Sequence, residues 1–218
     1  MTQYLDLESW PRRDVFEFFR NFDKPYFNVC VRLDVTNLLS CLREHTAPES
    51  KANVSLAFHY FALRVANEIE PFRYRLREGK VVIHPIIHAG TTVLAPHGSF
   101  VLAYFDYHVE FAKFIVEARR AVDQAREDGV FLPRREHDAR IHFTTLPWVA
   151  FTSFSHARNW GKEDSVPKIA FGKFTHEHER ALLPFSVEVH HALVDGSDVG
   201  RYLSRLEEAL AKPEDFIS

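Results

Sequence analysis

Apolar and polar positions along the chain fall into stretches with a period of two and stretches with a helical period. From Tyr26 to Asp34, Phe27, Val29, Val31 and Leu33 alternate with Asn28, Cys30, Arg32 and Asp34, the pattern of a strand with one buried face. Similar stretches predict strands at Val81–His84, Thr91–Leu94 and Phe100–Phe105, spaced as a meander with short turns such as Pro96-His97-Gly98. Four more strands are predicted at Ile141–Thr145, Phe151–Phe154, Ile169–Phe174 and Leu182–His190. Helical stretches lie between them. Ser9 is expected to cap a helix with Pro11 in its first turn and Val15, Phe16, Phe19 and Phe22 on one stripe. Thr36 is expected to cap a short helix carrying Leu38, Leu39 and Leu42. Val54 to Ile69 is apolar around much of its circumference and is predicted to pack beneath a sheet, whereas Val109 to Glu127 has a charged outer face. Gly129 to Asp138 is a polar excursion, and Gly196 to Leu210 closes the chain with Val199, Tyr202, Leu203, Leu206 and Leu210 at helical spacing. These elements predict one α/β domain over residues 1–218, a two-layer sandwich in which helices pack a large mixed sheet. The absence of a regular βαβ rhythm and of a Gly-rich loop after a strand argues against a dinucleotide-binding fold.

Composition narrows this reading. A chain of 218 residues can bury one sizeable core and is short for two. The 20 phenylalanines exceed ordinary usage, enough to build a core and to line an apolar cavity as well. A formal net charge of −3 gives no basic field for nucleic acid. Cys30 and Cys41 cannot make a disulfide framework, and their spacing fits no zinc motif. The first residues have no basic start followed by an apolar stretch, and no run is long enough to span a bilayer, so a cytoplasmic location without membrane contact is expected.

The chemistry concentrates in Leu183-Pro184-Phe185-Ser186-Val187-Glu188-Val189-His190-His191-Ala192-Leu193-Val194-Asp195-Gly196. An apolar strand delivers two histidines to its end, and an Asp-Gly turn leads into the last helix. A neutral imidazole held at such an edge can take a proton from a hydroxyl or a thiol. A lone strand histidine is more often a core residue with its partners satisfied. The complete pattern His-His-x-x-x-Asp-Gly, between a strand and a helix, favours the functional reading. The alternating histidines of Thr175-His176-Glu177-His178-Glu179-Arg180 suit an exposed turn better than a metal site, so no metal is expected. No nucleophile-elbow sequence surrounds Ser153 or Ser155.

The motif resembles that of the chloramphenicol acetyltransferase family. The resemblance extends from Trp10 to about Leu210 and includes Trp10-Pro11-Arg12, Phe72-Arg73-Tyr74-Arg75, Pro147-Trp148-Val149-Ala150-Phe151 and Val199-Gly200-Arg201. It implies an acetyl-CoA-dependent O-acetyltransferase of that family's fold, acting on a small hydroxyl acceptor, chloramphenicol first among them. His191 would be the general base, Asp195 and Arg12 an ordering ion pair, and Thr144 the hydroxyl facing the oxyanion where the family usually has serine. Trp148, Lys173 and Phe174 would contact CoA, and Phe19, Phe27, Phe100 and Leu102 would shape the acceptor pocket. It also implies a homotrimer with active sites between subunits. Ala170 departs from the family, which has a threonine there. An acyltransferase-fold protein with another acceptor, or a non-catalytic small-molecule binding protein, is the alternative. The acyltransferase core of 2-oxoacid dehydrogenase complexes shares the His-x-x-x-Asp-Gly logic, but no segment here resembles the lipoyl or peripheral-subunit-binding domains of those chains.

Overall fold

A computed structural model describes residues 3–45, 53–134, 137–159 and 164–217. Ten strands and five helices follow one another along them: β1 (Gln3–Tyr4), α1 (Arg13–Phe19), β2 (Tyr26–Asp34), α2 (Thr36–His45), α3 (Asn53–Glu68), β3 (Tyr74–Arg77), β4 (Lys80–Ile83), β5 (His88–Leu94), β6 (Phe100–Phe105), α4 (Phe111–Asp128), β7 (Arg140–Thr145), β8 (Lys168–Phe171), β9 (Thr175–Glu177), β10 (Arg180–His190) and α5 (Gly196–Ala211). The main sheet runs β2-β10-β8-β7-β5-β6, with β9 also on β10. It is mixed: β5–β7 and β7–β8 are parallel and its other pairs antiparallel.

Strand alternation decides which face is covered. Phe143, Phe171 and Phe185 share one face and meet His59 and Phe58 of α3 and Tyr202 of α5. Val93, Val101 and Ala103 extend that face beneath Val122 and Ala125 of α4. The opposite face carries Thr144, Ala170 and Ser186 in one row across β7, β8 and β10. Residues 149–159 cross it without regular structure, tied down by Lys173 N–H to the Val149 carbonyl (2.8 Å) and Lys168 Nζ to the Ala157 carbonyl (2.6 Å). Gly172 permits this approach, because a Cβ there would lie 2.9 Å from the Val149 carbonyl oxygen.

Several expectations need correction. Phe151–Phe154 is not a strand: it docks across the sheet face and joins no ladder. Val81–His84 is not part of a meander with Thr91–Leu94, since β4 pairs with β3 and β1 in a separate three-stranded sheet. Glu78 and Gly79, both at positive φ (51° and 73°), close the β3–β4 hairpin. The first helix starts at Arg13 rather than after Ser9, whose hydroxyl instead donates to Asp6 in a preceding turn (2.7 Å). Of the expected stripe on that helix, Phe16 is buried while Val15 and Phe22 are exposed. Thr36 is the first residue of α2, and Asp34 Oδ1 accepts its backbone N–H (3.0 Å).

Arg75 is fully buried in this frame. Its guanidinium donates to the carbonyls of Phe72, Tyr74, Asp138 and Arg140, which ties the small sheet to the start of β7. Burial pushes its pKa down to about 9, still well above neutrality, so the charge is retained.

Candidate active site

β10 carries the two histidines into different surroundings. His190 is buried, its ring edge-on to Tyr26, and its Nδ1 accepts the Ala192 N–H (3.3 Å). Burial, then the Arg158 charge, pushes its pKa down to about 4, which keeps it neutral and structural. His191 follows just after the strand and is half-buried. Its imidazole stacks on Phe19, with ring centroids 3.9 Å apart, and lies tilted against Phe27 at 4.7 Å. Its backbone N–H donates to the Pro25 carbonyl (2.7 Å), while Nδ1 is buried without a hydrogen-bond partner.

The turn after His191 is fastened by Arg12. Nη1 donates to the Leu193 carbonyl (2.8 Å), Nη2 reaches the His191 carbonyl (3.4 Å), and Nε pairs with Asp195 Oδ2 (3.2 Å). Asp195 also caps α5. Its Oδ1 accepts the N–H groups of Ser197 (2.9 Å) and Asp198 (3.2 Å), and Asp198 Oδ2 returns a bond to the Asp195 N–H (3.1 Å). Burial raises the Asp195 pKa, but the bonds from Ser197 and Asp198 and the charge of Arg12 outweigh it and hold the carboxyl below its ordinary value.

A depressed carboxyl pKa contributes stability above the ordinary aspartate range, which is lost as pH falls through the folded-state value. Arg12→Ala is expected to cost about 1–3 kcal/mol, because it frees the two carbonyls and removes the partner of Asp195. Thermal melting against pH checks this: the part of the variant's deficit that comes from Asp195 should be full near neutrality and should narrow as the pH falls below the ordinary aspartate range.

Thr144 and His191 lie apart within one chain. Thr144 is in register with Ala170, which faces Ser186, and His191 lies five residues beyond Ser186. At the rise of an extended strand the separation is about 16 Å along β10, with roughly 10 Å more across the two intervening ladder steps. No hydroxyl at Ala170 bridges the gap, and that of Ser186 donates to Asn28 Oδ1 (2.8 Å).

Thr144 instead borders a cavity of about 830 Å³. It opens where β5 and β7 part beyond their last pair, Thr91 with Phe143. Residues of both sheet faces line it: Thr91 and Val93 from the helix-covered side, Thr92, Leu94 and Thr144 from the other. Phe100 and Trp148 also line it and are exposed. Leu102 lies on the Thr144 face, paired with Thr92, and is half-buried. Lys173 is exposed, Phe174 half-buried, and both follow the Val149 contact that places them near Trp148.

Sequence reasoning missed two histidines of this cavity, His59 and His156. His59 sits on α3 between the Ser55 carbonyl (Nδ1, 2.7 Å) and Thr91 Oγ1 (Nε2, 3.0 Å). A carbonyl only accepts, so Nδ1 carries the proton and Nε2 accepts from the threonine. Burial lowers its pKa to about 4, leaving it neutral. A histidine on a helix that is apolar around much of its circumference was the available signal. His156 had none, because nothing in its neighbourhood marks it as cavity-facing. Among the described residues no group of three or more His, Cys, Asp or Glu converges as a metal site, and no helix is long and apolar enough to cross a membrane.

Comparison with known proteins identifies the family and the fold. A profile of the chloramphenicol acetyltransferase family matches residues 2–207. The chain is 26% identical to a chloramphenicol acetyltransferase of Proteus mirabilis over 94% of its length and 92% of that protein. It is 29% identical to one of Streptomyces acrimycini, over 96% and 94%. A solved chloramphenicol acetyltransferase superposes with a TM-score of 0.87 at 27% identity, covering 96% of this chain and all (100%) of that one. The dihydrolipoamide acetyltransferase of Azotobacter vinelandii shares the fold, with a TM-score of 0.72 at 18% identity over 94% and 88%. The chain is therefore an acyltransferase and belongs to the chloramphenicol acetyltransferase family.

Proposed function

We propose that residues 1–218 act as one domain that transfers the acetyl group of acetyl-CoA to a small hydroxyl acceptor, with chloramphenicol the leading candidate, in a cytoplasmic homotrimer. The observation that carries the reading is the treatment of the two adjacent histidines. His190 is buried and neutral, while Arg12 and Asp195 hold the turn so that the His191 imidazole stays at the surface on Phe19. His191 takes the proton of the acceptor hydroxyl as its oxygen attacks the thioester carbonyl. The Thr144 hydroxyl donates to the oxyanion that develops there. Collapse breaks the carbon–sulfur bond, and His191 returns the proton to the departing thiolate. No acyl-enzyme forms.

The separation of His191 from Thr144 supports assembly between copies. Each chain holds His191 at one place and the Thr144 cavity, which His191 does not line, at another. A heterologous contact repeated around a closed ring pairs them. Exposed apolar side chains flank both places, Phe18 and Phe22 near His191 and Phe100, Phe131 and Trp148 near the cavity, as expected of surfaces that become covered. Phe19 and Phe27 would then meet the acceptor from one copy, Phe100 and Leu102 from the next. Because the cavity is lined from both sheet faces, the thioester arm and the alcohol can reach Thr144 from opposite sides. Trp148, Phe174 and the exposed cation of Lys173 suit the acyl carrier and its phosphates.

The test is release of free thiol from acetyl-CoA by purified protein supplied with chloramphenicol. Acceptor-dependent release is the expected result. Its absence with chloramphenicol, alongside release with another alcohol in a panel, would reject that acceptor and keep the reaction.

A further inference from the structure

A residue in the wall of the cavity that holds Thr144 carries a buried nitrogen with nothing to bond. His156 lines the cavity with its ring set edge-on to Phe154 at 4.7 Å, and its Nε2 is buried without a hydrogen-bond partner. Buried polar atoms are paired in the great majority of cases, and an unpaired one at a cavity wall calls for a ligand group. Thr145 Oγ1, on the same cavity, is likewise buried and unpaired.

The backbone around His156 is held on both sides. Its own N–H donates to Glu188 Oε2 (3.4 Å), and the next carbonyl, that of Ala157, accepts from Lys168 Nζ (2.6 Å). Arg158 is locked to Glu188 (2.6 Å) and Asp164 (3.2 Å), and Lys168 to Asp164 (3.2 Å). Two cations and two carboxylates thus neutralise one another behind the imidazole. Burial, and then the charges of Arg158 and Lys168, push the His156 pKa down to about 3, so the ring is neutral at working pH. A neutral imidazole offers one donor and one acceptor and no charge. Phe154 stands beside it, and the same cavity is lined by Leu94 and Phe100 and, from α4, by Arg119, Asp123 and Arg126.

We propose that His156 is a specificity-determining residue that hydrogen-bonds a second, uncharged polar group of the acceptor, so that amide-bearing or polyhydroxylic alcohols are preferred over plain alcohols of the same shape. The proposal rests on the acetyl transfer described above. The His156 ring is itself neutral, so what it offers an acceptor is a hydrogen bond and no charge. A plain alcohol leaves the His156 nitrogen unpaired, and a site built to hydrogen-bond a substrate group discriminates against the analogue that lacks it.

A matched pair of alcohols tests this: N-acetylphenylalaninol and 3-phenylpropan-1-ol, with kcat/KM measured by thiol release from acetyl-CoA. The parent protein is expected to favour the amide alcohol by roughly tenfold or more. H156L should bring that ratio close to one, mainly through KM for the amide alcohol, and H156Q should retain a substantial part of it. Thermal melting establishes that each variant is folded, and H156M replaces H156L if the leucine variant does not fold. An unchanged ratio in the folded leucine or methionine variant overturns the role of His156 and leaves the transferase reading standing. Acetylation of neither these alcohols nor chloramphenicol by the parent overturns both.

Discussion

Replacing His191 by alanine is expected to lower kcat for acetyl transfer by roughly 10²–10⁴-fold, the range for loss of a positioned general base. The substitution removes only an imidazole. The bonds that shape the turn run through backbone groups, the His191 N–H to Pro25 and the His191 and Leu193 carbonyls to Arg12, and all of them survive in the variant. KM for acetyl-CoA should therefore change little, and the melting temperature should fall little if at all. The paired control is His190→Ala. That change opens a buried space and frees the Ala192 N–H, so it should act on stability first. Stopped-time thiol assays and thermal melts on the two variants separate these outcomes. Full activity in His191→Ala would remove the base from the proposed mechanism.

The second large effect concerns mixtures. Thr144→Ala alone should cost about 10²–10³ in kcat if its hydroxyl faces the oxyanion. Thr144→Ala and His191→Ala chains, co-expressed, should recover activity that neither has alone. A site that draws its base from one copy and its cavity from the next is whole wherever the two variants meet in the right order, at about a quarter of the interfaces of an equal mixture around a closed ring. A site built within one chain gives no recovery at any ratio. Size-exclusion chromatography with light scattering on the parent gives the number of copies directly.

Much of the fold could be read from periodicity because most of it obeys a single period per segment. β2 and the end of β10 lie where alternation predicted, and α3, α4 and α5 within about two residues of their predicted ends. The large mixed sheet packed by helices was also expected. The errors came from long-range partners, which local pattern does not contain. β4 is apolar like a buried strand of the main sheet, but the β3–β4 hairpin and the N-terminal Gln3-Tyr4 claim its edges. Phe151–Phe154 has strand composition, yet Gly172 lets it lie flat on a sheet face instead of joining an edge. Ser9 has the chemistry of a cap, but Asp6, three residues earlier, takes its hydroxyl first.

The candidate site was legible in its motif and not in its geometry. The sequence places Arg12 far from Asp195, and the resemblance to a family suggested that they meet. Their ion pair is present, and it is the carbonyl bonds made by the same guanidinium that fix the turn. That His191 and Thr144 lie apart could not be read from spacing, because it follows from strand order and register. The polar side of the cavity escaped for another reason. His59 and His156 come from a helix and an irregular crossing segment, and only the folded chain brings them to one space.

The contrast between Asp195 and His191 bears on how this protein tolerates change. Asp195 caps the last helix and holds Arg12, so a chain that loses it loses part of its architecture. His191 carries no comparable duty: its Nδ1 is buried without a partner, a small standing penalty that a phenylalanine on Phe19 would relieve. Selection for heat resistance alone would leave the aspartate in place and drift towards discarding the histidine. Under the proposed mechanism, such a descendant keeps the strand, the turn and the capped helix intact and is catalytically silent, its inactivity visible at one imidazole and nowhere in its shape.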